Sequence, residues 1–325
     1  MSRIKGKACT NEQRLGTVVG IDVSKAYFDV CLHPSGDRFR VRNDAAGIEV
    51  VRDRCLTSSV GLVVMEATGR YHRAAHACLH QAGIPVAVIN PYRTRRFAEV
   101  LGRLAKTDEI DAEVLAEFGA VMKPAPTEPP TEPMAHITEI IVARRQVVNE
   151  RRALENKRTQ ATLNLVKDQL DERISLCRRQ CKILDAKLLE AIRLEPAIAR
   201  RYAILVSIPG IGPTTAATLL SEMKELGSAN AAEVAALAGV APMNRDSGTM
   251  RGRKMSRSGR IAARNTLYMA AVVAVRWNCD LAAFYSRLRE AGKPFKVAIT
   301  AAMRKLLLLA NTLLKEDRVW SPTPP

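Results

Sequence analysis

The chain has 325 residues, enough for two domains with a core each. Its 47% hydrophobic and 26% charged content is that of a globular protein, and its formal charge of +17 asks for an anionic partner, nucleic acid first. No uninterrupted apolar run reaches the length of a membrane span, and the start, Met1 to Lys7, lacks the apolar stretch of a signal peptide, so a cytoplasmic protein with no membrane partner is expected.

Residues 1–15 read as a basic extension. Thr17 to Val23 is a buried strand by composition, and Tyr27 to Leu32 alternates with Phe28, Val30 and Leu32 on one face. Pro34 to Asp37 is a turn signal. Phe39 and Val41 then alternate with Arg38, Arg40 and Arg42, a strand with one basic face. These three strands predict an antiparallel meander. A short helix around Ile48 to Arg54 follows, then a strand from Gly61 to Glu66, a helix from Tyr71 to about Gln81 and a strand from Ile84 to Ile89. Helices flank Lys106. Three strands followed by alternating strand and helix predict a mixed sheet covered by helices over 16–122.

A proline-rich linker is expected at 123–135. From about Ile137 to Leu194 there is neither proline nor glycine, and an irregular apolar stripe runs through Ile141, Val148, Leu154, Leu163, Val166, Leu170 and Ile174. Two arrangements suit it: an arm over 136–196 that pairs with a partner chain, or a hairpin packed on its own domain. Residues 197–325 read as a compact helical region. Seven cysteines, with no Cys-x-x-Cys, argue against a disulfide framework and suit small core residues. Cys177 and Cys181 lack nearby histidines, which disfavours zinc. Aromatics at 4% disfavour a stacking platform for single strands.

Four carboxylates stand out. Asp22 and Glu66 end apolar strands, where an uncompensated charge is costly. Asp108 and Asp111 share a helix face at a start that Thr107 can cap. Such a set suits two divalent ions acting on phosphate, with Mg²⁺ favoured and Mn²⁺ an alternative. The plainer reading of Asp108 and Asp111, first-turn acids answering a helix dipole, leaves Asp22 and Glu66 unexplained.

Ile208-Pro209-Gly210-Ile211-Gly212 has the form of a helix-hairpin-helix, whose Gly210 and Gly212 can bring backbone N–H groups to a phosphate, or simply turn the chain between helices. Ser247 sits in a loop with Arg251, Arg253, Lys254 and Arg257. That loop either offers a hydroxyl to a phosphodiester, with Ser256 and Ser258 as rivals, or only binds DNA. His72, His76 and His80 recur every four residues and read as a solvent-facing stripe.

Taken together, the chain resembles the DEDD transposases of bacterial insertion sequences, the bridge-RNA-guided recombinases related to the Piv invertase. The matching strings run in order: Gly20 to Lys25, Met65 to Gly69, Val88 to Pro91, Lys106 to Ala112, Ile208 to Gly212, Leu237 to Pro242, Ser247-Gly248, Arg251-Gly252 and Asn265 to Met269. The resemblance implies a RuvC-like ribonuclease H fold with Asp22, Glu66, Asp108 and Asp111 as its metal tetrad. It implies a coiled-coil dimerisation arm, and a C-terminal domain whose Ser247 forms a covalent phosphoserine link to DNA. It also implies double-stranded donor and target DNA, a guide RNA that selects them, and a dimer that becomes a tetramer on DNA. Two other readings remain: a RuvC-like nuclease or junction resolvase using metal-activated water, and a non-catalytic protein that bridges nucleic acids.

Overall fold

The computed structural model describes residues 16–67, 69–103, 108–243, 256 and 259–322, with Asp108 and Glu109 described by backbone alone. The chain divides into two compact units, residues 1–130 and 131–325, and the division falls inside the proline-rich segment.

In the first unit, β1 (Val18–Val23), β2 (Tyr27–His33) and β3 (Arg38–Arg42) form the antiparallel meander. α1 (Ala45–Thr57) follows, its first turn capped by the Asp44 carboxylate, which accepts from the Gly47 N–H at 2.9 Å. Then come β4 (Leu62–Glu66), α2 (Arg73–Gln81), β5 (Val86–Ile89), α3 (Pro91–Val100) and α4 (Asp108–Met122). The five strands lie in the order β3-β2-β1-β4-β5, with β4 and β5 parallel to β1. This is the mixed sheet that the order of elements predicts.

Alternation divides the side chains between two covered faces. Ile21, Phe28, Val30, Met65 and Val86 join Val51 of α1 and Leu79 of α2 on one face. On the other, Val18, Leu62, Val64, Ala87 and Ile89 meet Leu115 and Phe118 of α4. β2 is consequently buried on both sides, where its alternation alone points to one apolar face.

α4 lies close against β1 because both elements carry glycine at the crossing. A Cβ on Gly20 would overlap the Ala112 carbonyl oxygen and the Ala116 nitrogen, and one on Gly119 would come within 2.6 Å of Val18 and 2.7 Å of Val64. Gly119 thus sits over the start of β1, and Ala112 over its middle. α4 therefore runs antiparallel to β1, and its first turn reaches the carboxyl-terminal ends of β1 and β4.

α2 corrects one expectation. His76 is buried rather than solvent-facing, and its Nε2 lies 2.7 Å from the Thr127 carbonyl oxygen. The proline-rich segment makes this burial tolerable, because it docks along β5 and brings a partner to the ring. The Thr127 N–H donates to the Val86 carbonyl at 2.7 Å, and the Val88 N–H donates to the Thr127 hydroxyl at 3.1 Å.

His80 is exposed, and His72 is half-buried with Nδ1 unpartnered among the described residues. Burial, with lesser contributions from the charges of His76 and Arg73, pushes His72 down to about 4 from its ordinary 6.5. The folded chain therefore binds this proton less readily than the unfolded chain. The stability it contributes is complete above pH 6.5 and is lost as pH falls toward 4. His72→Gln should flatten part of the fall in melting temperature across that window. An unchanged slope in a melting series would contradict this account.

The second unit begins with α5 (Glu132–Gln160) and α6 (Asn164–Leu194), which fold back on one another as an antiparallel hairpin. The chain breaks at Ala161 to Leu163, so much of the apolar stripe is used within the chain: Ile137 and Ile141 meet Leu188 and Ile192, and Leu154 meets Leu170 and Ile174. Ion pairs cross the hairpin between Arg144 and Asp185, and between Arg158 and Asp171 at 2.8 Å. Of the stripe residues, Leu163 and Val166 remain exposed. The segment thus forms a hairpin within the chain, and pairing with a second chain would use what the hairpin leaves outside.

α7 (Pro196–Ser207), α8 (Pro213–Glu222), α9 (Ala231–Leu237), α10 (Ile261–Trp277), α11 (Cys279–Glu290) and α12 (Phe295–Lys315) complete the unit. α12 has the length and hydropathy of a membrane span, but Ala302, Leu306, Leu307, Ala310 and Leu313 form the centre of this helical core. Cys31, Cys55, Cys177 and Cys181 are buried, as small core residues should be, whereas Cys279 is exposed.

Candidate carboxylate site and nucleic-acid elements

β1 and β4 run in parallel with Ile21 opposite Met65, and one step further along the same register brings Asp22 beside Glu66. Both side chains point to the α4 face, alternating with Ile21 and Met65 on the opposite face. Asp22 is partly buried and so is Glu66. The first turn of α4 lies over this end of the sheet, with Asp111 half-buried upon it. The backbone of Asp108 begins that helix. Thus the sheet brings together two of the candidate carboxylates, and α4 carries the other two to the same end. Thr107, proposed as its cap, lies outside the described residues.

Two more residues belong to this row. Asp29 of β2 stands directly opposite Asp22, and Arg40 of β3 directly opposite Asp29. Two like charges facing each other across strands are unfavourable. Arg40 answers Asp29 with a two-point fork, Nε to Oδ1 at 2.7 Å and Nη2 to Oδ2 at 3.1 Å. Asp29 is only 6% exposed, so this pairing is what permits a charge there. The signal in the sequence is a lone acid between Phe28 and Val30, two strand positions that face the core.

Thr94 is the second. Asn90 caps α3, its side chain accepting from the Tyr92 N–H at 2.9 Å, and Pro91 occupies the first turn. One turn on, the buried Thr94 hydroxyl donates to Glu66 Oε1. No spacing rule links positions 66 and 94, so sequence reasoning alone does not find this contact. The outer face of α3 is basic: Arg95 and Arg96 are 84% and 60% exposed, and Glu99 is their single acidic neighbour on the helix.

The donor set suits a hard divalent cation, since it consists of carboxylate oxygens. Glu66 Oε2 accepts no hydrogen bond among the described residues, which leaves it available as a ligand. Among those residues no three His, Cys, Asp or Glu side chains converge as a ready ligand group, the carboxylate of Asp108 being outside them.

Gly210 takes φ +102°, and a Cβ there would come within 2.5 Å of Ala274 Cβ. Its need for glycine is therefore explained by the close approach of α10. Gly212 is exposed and begins α8 without a side-chain cap. Ser247, Arg251, Arg253, Lys254, Arg257 and Ser258 lie outside the described residues, and Ser256 is exposed.

Residues 19–166 match the family model of the IS110-type DEDD transposases, and residues 202–286 match that of the transposase IS116/IS110/IS902 family. The chain is also 30% identical over 318 residues to the pilin gene-inverting protein of Moraxella bovis, covering 93% of this chain and 97% of that one. The chain belongs to the IS110/IS116/IS902 transposase family. It is accordingly an enzyme of the DNA transposase and recombinase class. A 43.6 kDa protein of insertion element IS110 from Streptomyces coelicolor is 28% identical over 169 residues, spanning 50% of this chain and 40% of its relative. Among solved structures, T. thermophilus RuvC in complex with a Holliday junction substrate aligns with 34% of this chain and 98% of its own, at 14% identity and a TM-score of 0.27. Membership in a DEDD family and an all-oxygen donor set together suggest divalent-metal use.

Proposed function

We propose that this transposase breaks and rejoins the DNA strands of a mobile element at a site built on Asp22, Glu66, Asp108 and Asp111. The carrying observation is the register that sets Asp22 beside Glu66 beneath the first turn of α4. In a RuvC-like arrangement these four residues would hold divalent ions, Mg²⁺ or in its place Mn²⁺. Bound there, such ions polarise the phosphate and offset its developing negative charge. Asp22 and Glu66 present their oxygens from strands, and Asp111 stands on the first turn of the helix that the backbone of Asp108 begins. Arg40 keeps Asp29 neutralised beside Asp22, so the site gathers acid without losing the fold. The basic face of α3, Gly212, and Arg251, Arg253, Lys254 and Arg257 would hold the DNA backbone.

This geometry favours metal-centred cleavage, and water alone could serve as its nucleophile. The family resemblance supplies a second candidate, the Ser247 hydroxyl. Its attack would form an Oγ–P bond and release a deoxyribose oxygen that leaves with a proton. Protein, guide RNA and DNA incubated with Mg²⁺ should then yield a protein–DNA adduct that Ser247→Ala abolishes. Free ends without adduct, formed equally by Ser247→Ala, would establish the hydrolytic alternative. Activity unchanged in Asp22→Asn and Glu66→Gln would leave only a bridging role. The charge of +17 supports a partnership with both donor and target DNA and a guiding RNA in the cytoplasm. The α5–α6 hairpin, with exposed Leu163, Leu165 and Ile183, supports self-association as a dimer, and as a tetramer on DNA.

A further inference from the structure

We infer that Thr94 is a positioning residue for the metal site, one that commits Glu66 Oε1 and so turns Oε2 toward Asp22. The inference rests on the carboxylate site proposed above. Glu66 is the last residue of β4, and the backbone pairing of a strand does not fix the terminal torsions of a glutamate side chain. A glutamate has more side-chain freedom than an aspartate, and a ligand that must find its geometry binds less tightly.

α3 supplies the missing constraint. Its start is fixed by the Asn90 cap and by Pro91, and this sets where the first turn stands at the end of β5. β5 pairs with β4 so that Ile89 lies opposite Glu66. Thr94 is therefore held one turn beyond the strand position next to Glu66. Its side chain is 4% exposed, and its hydroxyl has two acceptors in reach, Glu66 Oε1 and the Pro91 carbonyl at 3.0 Å. A hydroxyl has one proton, and the ionised carboxylate is the stronger acceptor. One lone pair of Glu66 Oε1 is thereby taken, so Oε2 is the oxygen more readily offered to a cation. Glu66 is then a ligand through one oxygen, and its orientation is set by a residue 28 positions away in sequence.

The test uses full-length protein with the guide RNA, and two variants. Thr94→Val keeps the shape and removes the donor, whereas Thr94→Ser keeps the donor. Mn²⁺ binding is measured directly, by the loss of free-ion paramagnetic resonance signal, beside the Mg²⁺ dependence of DNA cleavage. Thr94→Val should weaken Mn²⁺ binding and raise the half-saturating Mg²⁺ concentration about tenfold or more, the usual scale for a residue that orients a metal ligand. Cleavage at saturating Mg²⁺ should largely recover, and Thr94→Ser should resemble the parent. Glu66→Gln is the control. If it abolishes Mn²⁺ binding while Thr94→Val binds like the parent, Thr94 has no positioning role and the metal site stands. If Glu66→Gln binds Mn²⁺ like the parent, the metal reading of the site fails and this inference with it. Equal losses in Thr94→Val and Thr94→Ser, accompanied by lowered melting temperatures, would assign Thr94 to packing alone.

Discussion

Asp22→Asn is expected to lower DNA strand cleavage about 1,000-fold while leaving the fold intact, since a metal's stabilisation of transition-state charge amounts to several kcal/mol. The amide has nearly the same volume, so the packing around Ile21 and Val23 should not change. DNA binding should be retained, because the basic elements are untouched. Gel assays of cleavage and binding, with a melting curve, test all three statements. Cleavage within a few-fold of the parent would remove Asp22 from the site.

Gly20→Ala should be among the most damaging single methyl groups in the first unit. The added carbon would overlap backbone atoms of Ala112 and Ala116, which cannot swing aside as a side chain can. Either α4 lifts from the sheet or β1 shifts, and overpacking of this sort costs about 3 kcal/mol or more. The effect reaches the chemistry, because lifting α4 separates Asp111 from Asp22 and Glu66. Urea unfolding should show the stability loss, and cleavage should fall even at temperatures where the variant remains folded. A variant that unfolds and cleaves like the parent would mean that α4 does not bear on β1 at this point. Restoring activity with high Mg²⁺ is not expected, since the ligands themselves would be displaced.

How far the sequence reveals this molecule depends on the range of each interaction. Strand order follows from local patterns: alternation in β2 and β3, apolar runs in β1, β4 and β5, and turn residues between them. The pairing of Asp22 with Glu66 also follows once β1 is laid beside β4, because parallel register then leaves little choice. Histidine spacing misplaces His76 because its partner, Thr127, sits 51 positions away on a segment whose prolines mark it as a linker. Periodicity can place His76 on a helix face but says nothing about what arrives to cover it. Asp29 and Thr94 escaped for the same reason, since each gains its meaning from a residue on another element. The hairpin of α5 and α6 was one of two permitted arrangements, and the turn at Ala161 to Leu163 carries neither the glycine nor the proline that would have announced it.

Thr127 on β5 has an implication for how this protein avoids sticking to itself. An open sheet has two edges, and each unpaired edge invites another strand. β5 is shielded by a segment that contributes one strand-like pairing at Thr127, while its prolines 124, 126, 129 and 130 have no N–H to offer an incoming chain. β3, at the opposite edge, carries Arg38 and Arg40, which are ion-paired within the chain, and the exposed Arg42, whose charge disfavours a second copy laid alongside. A basic protein drawn to high local concentration along nucleic acid is thereby protected against edge-to-edge polymerisation. One edge is guarded by the geometry of proline and the other by charge.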